Sequence, residues 1–150
     1  MGLVKSGKSA TFQEQVNIMK RIYFGTSFSH RKEYESLYQK MISYFNKYGI
    51  EVYSFVFEYK GSTENKVMLK NALNEMDKSD LIVADASYAS LGVGMEVGYF
   101  KGKGKKVVFL HRKSTFLDEN MDGVSDHVVD YESDEDVLNW FENNKDLLGY

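Results

Sequence analysis

Two continuous apolar runs limit the folds open to this chain more than any other feature of its sequence. Residues 81–84 read LIVA and residues 106–110 read KVVFL, without the alternation of a strand that has one face in water. Such runs are typical of strands buried on both faces, as in the parallel sheet of an α/β protein. Three further strands are predicted at Arg21–Gly25, residues 50–57 and His127–Tyr131 from their apolar, β-branched and aromatic residues.

Amphipathic segments separate these strands. Apolar residues recur at intervals of three and four over residues 30–48, 66–78 and 134–148, and a shorter helix is predicted at about residues 93–101. The positions expected to face the core are Tyr34, Leu37, Tyr38, Met41, Ile42 and Phe45 in the first helix, Met68, Leu69, Leu73 and Met76 in the second, and Val137, Trp140, Phe141 and Leu148 in the last. The alternation predicts a flavodoxin-like (Rossmann-like) three-layer α/β fold, with a five-stranded parallel sheet in the order 2-1-3-4-5.

Length and composition are those of one globular domain. The 150 residues suit a single core; we assign residues 20–150 to the domain and the polar residues 1–19 to a flexible N-terminal arm. The net charge of −3 leaves no basic surplus for binding a nucleic-acid backbone. No apolar run approaches the ~20 residues that span a bilayer. Because the N-terminus has no apolar signal segment, the cytoplasm is the expected compartment.

Residue counts also exclude several kinds of site. The chain has no cysteine, which excludes disulfides, thiolate metal sites and cysteine nucleophiles. The three histidines, His30, His111 and His127, lack the spacing of metal ligands. We therefore expect neither a metal nor a cofactor.

Residues 80–98, DLIVADASYASLGVGMEVG, run from a buried strand through a loop and a glycine-flanked turn into a helix. In the predicted strand order the first and third strands are neighbours, so the loops at their carboxyl ends share a ligand-binding crevice. Gly92 and Gly94 allow a ligand to approach the backbone closely, and the helix start offers free N–H groups. Glu96, expected in the first helical turn, is directed into this crevice. A carboxylate there indicates a nucleophile or a sugar clamp.

The loop after the first strand forms the other side of the predicted crevice. Residues 25–32 read GTSFSHRK, and their hydroxyl groups, helix start and two cations, Arg31 and Lys32, suit an anion such as phosphate. The alternative is an N-cap at Ser27 or Ser29 before a solvated helix. Tyr23, near the end of the strand, is expected to stack on a base or to contact Glu96; the alternative is a tyrosine of the core.

Two glycine motifs match nucleotide-binding fingerprints incompletely. Residues 2–9, GLVKSGKS, have the P-loop pattern, but that pattern requires a buried strand before it, and we expect a flexible arm instead. Gly92, Gly94 and Gly98 resemble the dinucleotide motif with one residue too many before the third glycine. Close packing of helix against strand is the alternative reason for these glycines.

Four segments together resemble a known family. They are YFGTS at 23–27, the predicted helix over residues 37–49, SDLIVA at 79–84 and, most specifically, SLGVGMEVG at 90–98. They are similar to the nucleoside 2-deoxyribosyltransferases, and most similar to the hydrolytic branch, the 2′-deoxynucleoside 5′-monophosphate N-glycosidases. The resemblance covers residues 20–131. It implies a flavodoxin-like fold, a nucleoside or nucleotide substrate, and a Glu nucleophile whose glycosyl-enzyme is resolved by water or by a second base.

Carried over residue by residue, the resemblance implies that Glu96 is the nucleophile and that Tyr23 positions it. The residues that would hold the 5′ side of the nucleotide are Gly25, Ser27, Arg31 or Lys32, Ser90, Gly92 and Gly94. Ser90 stands where transferases tend to have Asp and the monophosphate hydrolases have Ser, which favours the hydrolase branch. A homodimer or higher homo-oligomer is implied because a loop of the partner completes such sites.

Three positions depart from the family pattern. Ala72 stands where members carry an Asp that assists the departing base, and Phe55 where some hydrolases have a His. Asp118 aligns with the Ser or Asn that the partner's loop brings to the 5′ group, where a carboxylate opposes a phosphate unless a cation intervenes.

Three functional hypotheses follow. The main one is an N-glycosidase acting on a nucleoside or a nucleoside 5′-monophosphate. The second is a TIR-like hydrolase of NAD or a related signalling nucleotide, because GTSFSH at 25–30 loosely resembles TIR domains. The third is a non-catalytic nucleotide-binding module, which Ala72 favours.

Overall fold

The computed structural model describes residues 19–116 and 123–149. The strands are β1 (Arg21–Gly25), β2 (Glu51–Tyr53), β3 (Leu81–Asp85), β4 (Lys106–Arg112) and β5 (His127–Tyr131). The α-helices are α1 (Glu35–Asn46), α2 (Phe55–Glu58), α3 (Asn65–Asp77), α4 (Leu91–Gly102) and α5 (Asp134–Glu142), with 3₁₀ helices at Phe28–Tyr34 and Lys145–Leu148. In this part of the chain, no helix is both long and apolar enough to cross a bilayer.

All five strands are parallel and lie in the order β2-β1-β3-β4-β5. The predicted fold class and strand order are therefore confirmed. Every residue of β1 and β3 is buried, and for β3 this agrees with the prediction from its continuous apolar run.

Each face of the sheet has its own hydrophobic cluster, because successive side chains of a strand point to opposite faces. Phe24 of β1 packs in the cluster that contains α1 and α5, whereas Tyr23 packs in the cluster that contains α3 and α4. The result is three layers. Tyr23 therefore belongs to the core and at the same time faces the helix that carries Glu96.

The first and last predicted helices are each divided. Residues 30–48 form the end of a 3₁₀ helix followed by α1, and Gly49 ends this segment with a φ of 69°. Residues 134–148 form α5 and a separate 3₁₀ helix, whose Leu148 is buried as predicted. The arm predicted for residues 1–19, with its P-loop-like match, lies outside the described residues except for Met19, which packs in the core.

The predicted strand at residues 50–57 is wrong in its second half. β2 ends at Tyr53, and the carbonyl of Ser54 accepts hydrogen bonds from the N–H groups of Phe57 (3.2 Å) and Glu58 (2.9 Å). The ring of Phe57 stacks on Tyr38 with centroids 4.8 Å apart. Residues 55–58 therefore form a short helix, α2, and Phe57 packs from it against α1. The alternating aromatic residues of this segment had predicted a strand.

The predicted inward position of Leu69 is also wrong. Its side chain is 50% exposed, whereas Ala72 and Met76 of the same helix are buried. The first turns of α3 extend over a cavity beside the sheet, so Leu69 lines that cavity and does not reach the core.

Candidate active site

The carboxyl ends of β1 and β3 lie side by side at one edge of the sheet. Gly25 at the end of β1 pairs with Ala84 of β3. The loops that follow these strands meet the N-terminus of α4 around a cavity. This is the point of a doubly wound sheet at which the strand order reverses and ligands bind.

Glu96 projects from α4 toward β1. Because the helix begins at Leu91, Glu96 lies in its second turn and not in the first turn that the sequence predicted. Its Oε2 atom accepts a hydrogen bond from the hydroxyl of Tyr23. The Tyr23 ring is completely buried and packs against Phe100 and Tyr53, with ring centroids 5.7 and 6.1 Å away. The hydroxyl is therefore fixed in position.

Burial controls the protonation of both groups. Desolvation raises the pKa of Glu96 from 4.5 to about 7, although the Tyr23 hydrogen bond acts in the opposite direction. Desolvation and the charge of Glu96 raise the pKa of Tyr23 far above its ordinary value. Tyr23 therefore remains a hydrogen-bond donor, while Glu96 is poised near neutrality, a range typical of functional carboxyl groups.

Gly25 gives the Glu96 carboxylate the space it occupies. A Cβ atom on Gly25 would lie 3.1 Å from Glu96 Oε1 and 3.6 Å from Ile82 Cδ1. On α4, Gly92 lies one turn before Glu96 on the same face of the helix, and a Cβ there would meet only Ser90 Oγ, at 3.8 Å. The missing side chain leaves the carboxylate accessible from that side.

Two cavities share Gly92 and Glu96 as part of their walls. The first, of about 340 Å³, is bounded by the loops after β1 and β3 and contains hydroxyl groups; we call it the polar cavity. The second, of about 470 Å³, lies between α2, α3 and α4 and is almost entirely apolar; we call it the apolar cavity. Glu96 is thus accessible to two chemically different parts of one ligand.

The polar cavity contains several of the residues predicted to bind substrate. Ser27, Ser90 and Gly92 line it. Ser90 is the N-cap of α4, since its Oγ accepts a hydrogen bond from the N–H of Val93 at 3.3 Å. Thr26 also lines the polar cavity, although no sequence pattern indicated this residue in particular. The residue is 2% exposed, and its Oγ1 has no hydrogen-bond partner in the described part of the chain. A ligand oxygen would satisfy this buried hydroxyl.

His30 contacts the side chain of Ser27. Its Nδ1 lies 3.2 Å from Ser27 Oγ, and its ring stacks on Tyr88 with centroids 3.6 Å apart. The sequence showed His30 only as a member of the loop. The position of its ring depends on Tyr88, which lies 58 residues further along the sequence. No local sequence pattern predicts a contact between these two residues.

The predicted cations lie elsewhere. Arg31 packs over the Phe28 ring at 4.0 Å and donates a hydrogen bond to the Phe28 carbonyl at 2.8 Å. Neither Arg31 nor the exposed Lys32 lines the polar cavity. Gly94 has open space beside it on α4. Asp118 lies outside the described residues.

The apolar cavity is where Ala72 and Phe55 face Glu96. Its remaining wall includes Met68, Leu69, Met76 and Met95. Within residues 19–116 and 123–149, no group of three or more His, Asp or Glu is arranged to hold a metal ion.

Asp85, the last residue of β3, points to the face of the sheet opposite Tyr23 and Glu96. Its carboxylate accepts hydrogen bonds from the hydroxyls of Tyr34 (2.8 Å) and Tyr131 (2.5 Å) and from the N–H of Ser87 (2.9 Å). These bonds satisfy a buried carboxylate and link β3 to β5, which is a structural role.

Comparison with known proteins gives the same family. The family model described as nucleoside 2-deoxyribosyltransferase matches residues 22–140. The 5-hydroxymethyl-dUMP N-hydrolase of Esox lucius is 29% identical over 132 residues, which cover 76% of this chain and 88% of that protein. A shorter match of 51 residues, 41% identical, links 34% of this chain to 35% of a protein of Thermofilum pendens provisionally named as a 2′-deoxynucleoside 5′-phosphate N-hydrolase.

Among solved structures, the CMP N-glycosidase of Clostridium botulinum has the same fold. It superposes with a TM-score of 0.60 over 83% of this chain and 99% of that one, at 19% sequence identity. At this level of identity the likeness concerns the fold alone.

Proposed function

Since this chain belongs to the nucleoside 2-deoxyribosyltransferase family, we propose that it is an N-glycosidase that cleaves the bond between base and sugar in a nucleoside or a nucleoside 5′-monophosphate. The names of its relatives, which include an N-hydrolase acting on a modified dUMP, support this assignment. The observation that carries it is the position of Glu96, a carboxylate held by Tyr23 between a polar and an apolar cavity.

Glu96 acts as the nucleophile in this proposal. Its carboxylate attacks the anomeric carbon as the bond to the base breaks, which gives a glycosyl ester. Water then attacks the same carbon, and the carboxylate is regenerated. Since two displacements occur at one carbon, the configuration of the sugar is retained. Transfer to a second base would use the same ester.

Tyr23 is a positioning residue in this scheme. Its hydrogen bond holds one carboxylate oxygen, Oε2, so that Oε1 is free to attack. The bond also stabilises the ionised form of Glu96 against the cost of burial. Because its own pKa is raised far above the ordinary value, Tyr23 does not transfer a proton near neutral pH.

The polar cavity takes the 5′ side of the substrate. Ser27, Ser90 and the buried hydroxyl of Thr26 supply hydroxyl groups there, and the first turn of α4 directs free N–H groups toward an anion. Gly92 lines both cavities, and we assign it to the close approach of the ligand; Gly25 makes room for the Glu96 carboxylate, and Gly94 lines neither cavity. Arg31 and Lys32 then act at longer range, through their positive charge.

A homo-oligomer is part of the proposal. Leu91 and Phe116 are 84% and 83% exposed and line a third cavity, of about 490 Å³, next to Ser90. Contiguous exposed apolar surface of this kind is typical of contact sites. A second copy of the chain would cover this surface. Light scattering of the purified protein would measure the subunit count.

The decisive experiment is release of free base from a panel of nucleosides and 5′-monophosphates, followed by chromatography. The wild type is expected to release base and the Glu96→Gln variant to release none above the uncatalysed rate. Glu35→Gln is the matched control, since Glu35 is an exposed glutamate in the first turn of α1. Equal release by wild type and Glu96→Gln would refute the proposal.

A nucleotide-binding module without turnover is the second candidate. The observation in its favour is the apolar wall around Ala72, which offers no second acid. It predicts that a nucleotide raises the melting temperature of the wild type while no base is released over the same period.

A further inference from the structure

Because the polar cavity takes the 5′ side of the substrate, the apolar cavity on the other side of Glu96 is left for the base. Side chains of Phe55, Met68, Leu69, Ala72, Leu73, Met76 and Met95 form most of its wall. Its polar lining is limited to Asn65, Tyr99 and Glu96 itself. An amide is not an acid, and the Tyr99 hydroxyl already donates a hydrogen bond to Asp77 at 2.6 Å. The described wall thus contains no group besides Glu96 that could deliver a proton to a bound base.

This composition matters because ordinary bases are poor leaving groups. When the bond from the anomeric carbon to nitrogen breaks, its electron pair stays on the nitrogen. A neutral nucleoside therefore releases an anion unless an acid protonates the base, and such an acid typically contributes a factor of about 10²–10⁴ to the rate. An apolar wall makes the anion still more costly.

We propose, on the basis of the N-glycosidase function above, that this site prefers N-glycosides whose base carries a fixed positive charge, such as N7-alkylated purine or N-ribosylated pyridinium nucleotides. In these substrates the electron pair of the broken bond neutralises the cationic ring, and the base leaves as a neutral molecule without a proton. The Glu96 carboxylate becomes a neutral ester in the same step. Hydrolysis of the ester restores the carboxylate and releases one proton from water.

The Glu96 carboxylate and the apolar cavity both fit this change of charge. In the bound state a cationic ring stands beside the Glu96 carboxylate, which attracts it. In the transition state both charges diminish, so an apolar surrounding is less unfavourable to the transition state than to the bound ion pair. Three methionines and the Phe55 ring offer a polarisable surface to a flat aromatic base.

The test compares 7-methyl-2′-deoxyguanosine 5′-monophosphate with 2′-deoxyguanosine 5′-monophosphate, and the two corresponding ribose compounds. Because the methylated compounds also lose their base spontaneously, each enzymatic rate is divided by the rate without enzyme. We expect this enhancement to be at least about tenfold larger for the cationic substrate. Ala72→Asp, which places an acid in the wall, is expected to raise release from the neutral substrate by about 10²–10⁴-fold and thereby to reduce the preference for the cationic substrate.

Ala72→Asn is the matched control, since it has the size and polarity of Asp without the acidity; it is expected not to give the increase that Asp gives with the neutral substrate. A measurement on the wild type alone avoids dependence on the folding of a variant. Across 5-substituted 2′-deoxyuridine 5′-monophosphates, the rate should rise steeply as the pKa of the departing uracil falls.

The outcomes separate the two proposals. Equal enhancement for neutral and cationic substrates, or a rate independent of uracil pKa, overturns the charge preference and leaves the N-glycosidase function intact. Failure to release base from any substrate overturns the N-glycosidase function and the preference with it.

Discussion

Tyr23 and Glu96 connect the middle of the sheet to the second turn of α4 through one hydrogen bond, although 73 residues separate them in the sequence. Tyr23 is fixed by its burial among aromatic rings, so Glu96 takes its orientation from the core. This relationship joins the stability of the fold to the chemistry of the site.

The rate of base release should depend on pH through Glu96. Its pKa of about 7 means that the carboxylate required for attack is lost as the pH falls. We therefore expect kcat/KM to drop about tenfold per pH unit below pH 7 and to level off above it, measured with a substrate that does not titrate in this range. A profile that stays flat down to pH 5 would contradict the assignment.

Tyr23→Phe should move this profile. Loss of a hydrogen bond to a charged group costs about 1.5–3 kcal/mol, or roughly 10–100-fold in rate. Since that bond lowers the pKa of Glu96, its removal should also shift the acidic limb to higher pH. Tyr53→Phe is the matched control, because the Tyr53 ring packs beside that of Tyr23, with centroids 6.1 Å apart. The acidic limb of the pH profile of this variant should not move. An unshifted limb in Tyr23→Phe would rule out the positioning role.

Glu96→Gln should stabilise the protein at neutral and alkaline pH. The carboxyl pKa is raised from 4.5 to about 7 by folding, so the stability that protonated Glu96 contributes is fully present below about pH 4.5 and is lost as the pH rises through 7. The glutamine cannot ionise. The difference in unfolding free energy between variant and wild type should therefore grow from pH 5 to pH 8, by up to about 3 kcal/mol.

Urea denaturation of both proteins at each pH measures this difference. Glu35→Gln provides the comparison, since an exposed glutamate should give no such rise. A difference independent of pH would mean that Glu96 is not desolvated.

Gly25→Ala should impair catalysis while the protein stays folded. The new methyl group would lie 3.1 Å from Glu96 Oε1 and force the carboxylate to move, and a small displacement of a nucleophile is expected to cost about tenfold or more in kcat. Gly98→Ala on α4 is the control, because a Cβ there meets nothing within 4 Å. It should leave the rate unchanged and raise stability by about 0.5–1 kcal/mol. Equal rates in the two variants would show that the space beside Gly25 does not determine the position of the Glu96 carboxylate.

Much of the fold could be predicted because burial leaves a local pattern. The apolar runs of β3 and β4 and the three-and-four spacing of α1 are each contained in one segment, and their types came out as predicted. Residues 54–58 were not predictable in this way, since their aromatic residues suit a strand as well as a helical turn. The choice there depends on Tyr38, which lies in another element and stacks on Phe57.

The sequence by itself determined the alternation of buried strands with helices and the placement of Glu96 in a glycine-rich segment after the third strand, because these depend on local periodicity. The strand order was predicted as one of the two that are common in doubly wound sheets, and the structure confirmed it. The tertiary structure decided among the positions that were open to Tyr23, since Tyr23 is buried in the core and also bonds to Glu96. It alone decided that burial raises the pKa of Glu96 to about 7 and that Ala72 and Leu69 line an apolar cavity beside it. Desolvation and cavity shape are sums over side chains from several elements, and no single segment of the sequence contains them.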